Sequence, residues 1–166
     1  MTYYTTQDRD DFLRESNAIE GEYSREALED AMGAWYIIHD KEILTLETIK
    51  EVHRILLSRL NPGIAGQWGK WDVTVGGRII NRVSDEYTEG RLQWFIDLID
   101  KGVPKKMSPE EFTKNCHIVF ENIHPFDDGN GRVGRILYNW HRLKLDLPLH
   151  IIHEGEEQMS YYKWFK

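Results

Sequence analysis

Twelve consecutive residues, His124-Pro125-Phe126-Asp127-Asp128-Gly129-Asn130-Gly131-Arg132-Val133-Gly134-Arg135, hold a histidine, two adjacent carboxylates, three glycines and two arginines. Each residue type suggests one piece of chemistry. His124 can accept a proton near neutral pH. Gly129 and Gly131 allow close backbone approach and unusual dihedrals. Asp127 or Asp128 can hold a divalent cation that bridges two phosphates. Arg132 and Arg135 are three positions apart, so on a helix they share a side and can grip one polyphosphate in bidentate fashion. The parts suggest a nucleotide-phosphate cradle with a base beside it. Taken singly, they also fit an ordinary turn and a solvated arginine pair. Their order and setting favour the cradle.

The setting is helical. Ser108-Pro109-Glu110-Glu111 reads as a helix start, with Ser108 at the N-cap, Pro109 in the first turn and Glu111 at the capping-box position. Phe112, Cys116, Val119 and Ile123 mark its buried side, and Pro125 ends it. The loop over 127–131 then opens onto a second helix carrying Val133, Leu137 and Trp140, closed by Pro148. A helix N-terminus offers unpaired N–H groups to an anion.

Further helices are expected from Asp8 to about Ala18, and after Ser24, with Leu28, Met32, Trp35 and Tyr36 on an apolar face. Another follows Thr45, with Leu46, Ile49, Val52, Leu56 and Leu60 as its buried stripe and Asn61-Pro62-Gly63 as its stop. Leu92, Phe95, Ile96 and Ile99 form one more stripe, ending at Lys101-Gly102, and the final SYYKWFK segment also reads as helical. One segment has a strand period. Val73-Thr74-Val75, Gly76-Gly77 and Arg78-Ile79-Ile80 predict a β-hairpin with a two-residue turn. Its edges can pair with another extended chain, or the segment can serve to pack Trp68 and Trp71 onto the body.

The 166 residues fit one all-α domain with a single hairpin. The net charge of −7 argues against general nucleic-acid binding. The single cysteine, Cys116, reads as a core residue and excludes an internal disulfide. The N-terminal stretch lacks a basic-then-apolar signal, and no apolar run reaches membrane-spanning length, so a cytoplasmic protein without a membrane partner is expected.

The twelve-residue stretch resembles, without mismatch, the signature of the Fic family of nucleotidyl transferases, and the resemblance extends over roughly residues 10–162. It implies a compact helical Fic fold over residues 1–166 with a hairpin flap at 72–80. It also implies transfer of AMP from ATP to a Ser, Thr or Tyr hydroxyl of a target protein, with release of pyrophosphate. By this resemblance His124 is the base, Phe126 anchors the loop, and Asp128 ligates Mg²⁺. Gly129, Asn130 and Gly131 form the anion nest, with the Asn130 side chain also on phosphate. Arg132 and Arg135 hold the β- and γ-phosphates, with Val133 and Gly134 in the same nucleotide-binding run. Flap residues Val73, Thr74, Val75, Gly76, Gly77, Arg78, Ile79 and Ile80 would dock the target, and Tyr161-Tyr162 resembles a pair near the adenine. The Doc branch, which transfers phosphate, has lysine at the second motif glycine, so Gly131 favours AMP transfer. Relatives commonly carry a proline pair after the flap, where this chain has Arg82-Val83-Ser84.

Ser16-Asn17-Ala18-Ile19-Glu20-Gly21 resembles the inhibitory motif that precedes the core in self-inhibited Fic proteins. The region 8–22 would then be an inhibitory helix. Glu20 would pair with Arg135 and misalign ATP, while Ser16 would steady the helix end and Gly21 would stop it. On its own the segment reads as a helix end with a glycine stop. Two other activities remain open: a de-AMPylase or bifunctional enzyme using Glu20, and a non-catalytic nucleotide-sensing or toxin–antitoxin-type module. Self-association or automodification is a further partner expectation.

Overall fold

The computed structural model describes residues 4–166, so the first three residues of the expected 1–166 domain lie outside the described part. Seven α-helices and one hairpin make up the described chain: α1 Thr6–Ile19, α2 Arg25–Ile38, α3 Leu46–Leu57, β1 Val73–Val75, β2 Arg78–Ile80, α4 Asp85–Asp100, α5 Pro109–Ile123, α6 Asn130–Lys144 and α7 Glu156–Tyr162. A short 3₁₀ turn, Lys163–Phe165, follows α7. None of these helices is long and apolar enough to cross a membrane.

Local chemistry sets the helix starts. Ser24, Thr45, Ser84 and Ser108 each cap a helix by accepting from the N–H three residues on. The helix α1 begins at Thr6, two residues before the expected Asp8, because Thr5 and Asp8 form a reciprocal capping box. At the other end Glu20 is the C-cap and Gly21 takes φ +74, closing the helix with its N–H on the Ala18 carbonyl.

Helix α6 runs through the middle of the core. Val133, Gly134, Ile136, Leu137, Tyr138 and Trp140 are all buried, and α5 and α3 flank it with Phe112, Cys116, Phe120, Ile123, Ile49, Val52, Leu56 and Leu57. Cys116 is a free, buried core thiol, and burial pushes its pKa up to about 12.

Three expectations need correction. Tyr36 is exposed rather than on the apolar face of α2. The face that packs is Ala27, Ala31, Ala34, Trp35 and Ile38, because small alanines let α2 come close to α3. Leu60 is also exposed: α3 ends at Leu57, before the Asn61-Pro62-Gly63 stop, and the Asn61 N–H turns back to the Leu57 carbonyl. Pro148 does not close α6. The chain leaves the helix at Leu145 and Asp146, where Asp146 has φ +56 and the Leu147 N–H reaches the Arg142 carbonyl.

The hairpin forms with the expected strands. Val73 faces Ile80, Thr74 faces Ile79 and Val75 faces Arg78, and both turn glycines have positive φ. Trp68 is buried against Phe126, with ring centroids 5.3 Å apart, whereas Trp71 is exposed.

Candidate active site

The loop between α5 and α6 is fixed first at Phe126. This ring is fully buried and stacks flat on His53, with ring centroids 3.7 Å apart. The Asn130 side chain clamps the Phe126 backbone from both sides: Oδ1 accepts from its N–H at 2.9 Å, and Nδ2 donates to its carbonyl at 2.8 Å. Asn130 is therefore a loop clamp, a role the sequence did not suggest. His53 adds a second fastening. Its Nδ1 accepts from the Gly66 N–H, so the proton sits on Nε2, which donates to the Asp128 carbonyl at 2.9 Å. Burial lowers its pKa to about 4, so His53 is neutral in this role.

His124 stands at the C-cap of α5 in a left-handed conformation, φ 50 and ψ 60, with its N–H on the Phe120 carbonyl. That backbone is uncommon for a non-glycine residue and turns the imidazole into the cavity beside the loop. Burial lowers its pKa, and the positive charge of Arg82 adds to the effect. Nδ1 is buried without a well-aligned hydrogen bond, and the Glu121 carbonyl is close enough to favour a proton there. The imidazole is thus neutral at neutral pH, with Nε2 left as the basic atom.

The two carboxylates have separate jobs. Asp127 accepts from the Lys70 and Trp71 N–H groups at 3.0 Å and 3.2 Å, tying the hairpin's first strand to the loop. The Gly69 N–H on the Pro125 carbonyl and the Arg82 guanidinium on the Phe126 carbonyl complete that joint. Asp128 instead projects outward, bonded to the Gly129 N–H and 3.8 Å from Arg132. One exposed carboxylate beside a phosphate cradle fits Mg²⁺, which typically takes one or two carboxylates plus substrate phosphates. The described residues hold no cluster of three or more ligating side chains, so the phosphates would have to supply the rest.

The cradle is the start of α6. Gly129, at φ +81, leads into it, and no side chain caps its first turn. A Cβ on Gly129 would lie 2.7 Å from Leu57. Gly131 matters differently from the expectation: it sits inside the helix without positive φ, and a Cβ there would lie 2.5 Å from Glu20 Oε1. Arg132 is buried, and its Nε lacks any hydrogen-bond partner, as suits a donor built for an anion. Two residues expected with the nucleotide lie elsewhere. Val133 is wholly in the core, and Gly134 allows α6 to touch His117, Phe120 and Glu121 of α5.

Arg135 is buried, and α1 holds it. Its Nε donates to Ser16 Oγ at 2.9 Å, and its Nη2 donates to the Ser16 carbonyl at 2.9 Å and to Glu20 Oε1 at 2.7 Å. Ser16 therefore binds the guanidinium itself rather than only the helix end. Tyr161 lies under Arg135, with Cζ 5.8 Å from the ring centroid, and its hydroxyl meets His117 Nε2 at 2.8 Å. Glu20, His124, Gly131, Arg135, Tyr161 and Tyr162 line one cavity of about 240 Å³, with Val75, Gly76 and Arg78 of the hairpin at its edge.

The Fic/DOC family profile matches residues 43–141, well over half of the chain and including the whole loop. This chain belongs to the Fic/DOC family. It is 30% identical over 128 residues to a protein adenylyltransferase Fic of Nematostella vectensis, covering 77% of this chain and 29% of that protein. It is 27% identical over 131 residues to one of Culex quinquefasciatus, covering 78% and 25%. The chain thus spans less than a third of the length of these relatives. Among solved structures, a Fic domain containing signaling protein from Bacteroides thetaiotaomicron aligns with a TM-score of 0.75 and 26% identity, covering 95% of this chain and 70% of that one. Fic-1 from C. elegans aligns with a TM-score of 0.76 and 22% identity, covering 97% and 57%, and so speaks to the fold alone.

Within this Fic fold, sequence reasoning missed four residues. His53 and His117 look like ordinary helix-face histidines in the sequence, yet one fastens the loop and the other supports Tyr161. Arg82, just after the hairpin, braces the loop. Its Nη2 reaches the Phe126 carbonyl at 3.1 Å. Glu121, one turn before His124, puts a carboxyl in the cavity. Only Glu121 and Arg82 carried a signal, being charges close to the motif or flap.

Proposed function

We propose that this chain is a self-inhibited, Mg²⁺-dependent protein adenylyltransferase. The observation that carries this reading is the Glu20–Arg135–Ser16 contact, made in the same cavity as a neutral, partly buried His124. In the reaction, His124 Nε2 takes the proton from a Ser, Thr or Tyr hydroxyl of the target. The hydroxyl oxygen then bonds to the α-phosphorus of ATP, the α–β anhydride bond breaks, and pyrophosphate departs. Arg132 and Arg135 hold the β- and γ-phosphates, and first-turn N–H groups of α6 face the same charge. Asp128 would hold Mg²⁺, which would supply charge neutralisation for the leaving pyrophosphate. The hairpin supports target docking: its outer edges are unpaired among the described residues, and Asp127 ties it to the loop that carries the base.

Glu20 acts as the brake. While it holds Arg135, the γ-phosphate lacks its guanidinium and the α-phosphate sits off line, and a misplacement of about 1 Å can cost ~10²-fold. Incubation with α-labelled ATP and Mg²⁺ is expected to label the Glu20→Gly protein, or an added target, well above wild type. Absence of label from a folded, ATP-binding Glu20→Gly protein with any nucleotide would refute the reading. A second activity, removal of AMP from the target, is supported by Glu20 and His124 lining one cavity, where the carboxylate can activate water. Glu20→Ala should then abolish AMP release from a modified target.

A further inference from the structure

Glu121 is a carboxyl that the proposed reaction does not use. It lies on α5 one turn before His124 and lines the cavity shared by Glu20, His124, Gly131 and Arg135. Its Oε1 is buried and has no hydrogen-bond partner. The carboxyl packs so closely on the α6 backbone that a Cβ at Gly134 would collide with Oε1. Arg135, the cation in its reach, has instead turned Nε and Nη2 to Ser16 and Glu20. An unpaired buried carboxylate is costly, so the group needs a proton or a cation.

We propose that Glu121 is a second brake on Arg135: when Glu20 leaves, the Glu121 carboxylate competes with the incoming phosphates for the guanidinium. The inference rests on the reading in which ATP and Glu20 contest Arg135. Four groups face Glu121. Arg135 comes from α6, Glu20 from the end of α1, Tyr161 from α7, and His117 from one turn earlier on α5. His117 is neutral, since burial lowers its pKa to about 3. With Glu20 in place, burial foremost and the Glu20 charge in addition push the Glu121 pKa up to about 7, against the pull of Arg135.

Departure of Glu20 removes the like charge and frees the guanidinium, so both changes favour ionised Glu121. Of the two carboxylates lining the cavity, Glu121 alone then remains. Arrival of the nucleotide's phosphates reverses this. Their negative charge drives a proton from solvent onto Glu121, and Arg135 passes to the phosphate. ATP binding by the uninhibited protein is thereby coupled to proton uptake.

The test compares Glu20→Gly with Glu20→Gly/Glu121→Gln, both carrying His124→Ala so that nucleotide is not consumed. ATP with Mg²⁺ is titrated calorimetrically across the range from about pH 5.5 to about pH 8.5, in two buffers of different ionisation enthalpy. Because both proteins meet the same ATP, their affinity ratio cancels the nucleotide's own titration. The ratio should be near one at the acid end and rise to roughly three- to tenfold in favour of the Gln variant at the alkaline end, the worth of one partly buried carboxylate–guanidinium contact. Between those ends the Glu form should take up more protons than the Gln form, by roughly a quarter to a half of a proton per ATP, as a three- to tenfold ratio requires. Glu121→Leu, which also cannot ionise, should match Gln if folded. A ratio that does not change with pH, or equal proton uptake, overturns the inference while leaving the transferase reading intact. No ATP binding by either protein overturns both.

Discussion

The two ends of the catalytic loop are held in opposite ways. The His124 end is cross-braced through the core: Phe126 is fully covered, the Asn130 amide grips its backbone twice, and His53 stacks on it and bonds the next turn. At the Arg135 end the guanidinium is buried, but its anionic partner is only partly covered, with the Glu20 side chain 36% exposed. Glu20 is also the C-cap just past the end of α1, followed by a glycine turn. The difference separates two functions. In the proposed reading the chemistry is built into the core, while the brake is a partly exposed carboxylate at a helix end.

Removing the base is expected to have the largest effect. His124→Ala, placed in Glu20→Gly protein, should lower AMP transfer about 10³-fold or more and change ATP affinity little. With His124 intact, the rate should hold steady as the pH falls to the ordinary imidazole value of 6.5 and decline only below it, because burial lowers the pKa. Phe126→Ala should strike the braced end through stability, costing about 3–5 kcal/mol in denaturant unfolding. Glu20→Gly should act only at the other end, raising transfer about ten- to hundredfold with no comparable loss of stability. Ser16→Ala removes one of two Ser16 contacts and leaves its carbonyl, so a smaller release of about threefold is expected in the same labelling assay. If Ser16→Ala activated as strongly as Glu20→Gly, the brake would lie in the whole helix end rather than in the carboxylate.

The same contrast explains what could be read from the sequence. The starts of α2, α3 and α5 were legible because Ser24, Thr45 and Ser108 each decide one. The hairpin was legible because Gly76-Gly77 sets its turn and register together. The family of the loop was legible because the order of its residues is specific. The roles of Asn130, Asp127 and Gly131 were not. Asn130 bonds to a residue four positions away that its type does not specify, and Asp127 bonds to backbone 57 positions away. Gly131 is needed because Glu20, far upstream, comes to rest beside it. Tyr36 was misplaced because counting only large apolar residues overlooks the alanines that set how closely α2 approaches α3, and Leu60 because α3 ends three residues earlier, at Leu57. His53 could not be found at all, since its value lies in stacking on Phe126 across the core.

The central claim is that Glu20 occupies the guanidinium that the terminal phosphates of ATP require. The most direct measurement is calorimetric binding of ATP and of AMP, each with Mg²⁺, to wild type and to Glu20→Gly. The account predicts that Glu20→Gly binds ATP about tenfold or more tightly than wild type does, roughly 1.4 kcal/mol or more, while AMP affinity is unchanged because AMP lacks the phosphates that reach Arg135. Equal shifts for the two nucleotides, or none for ATP, would contradict it.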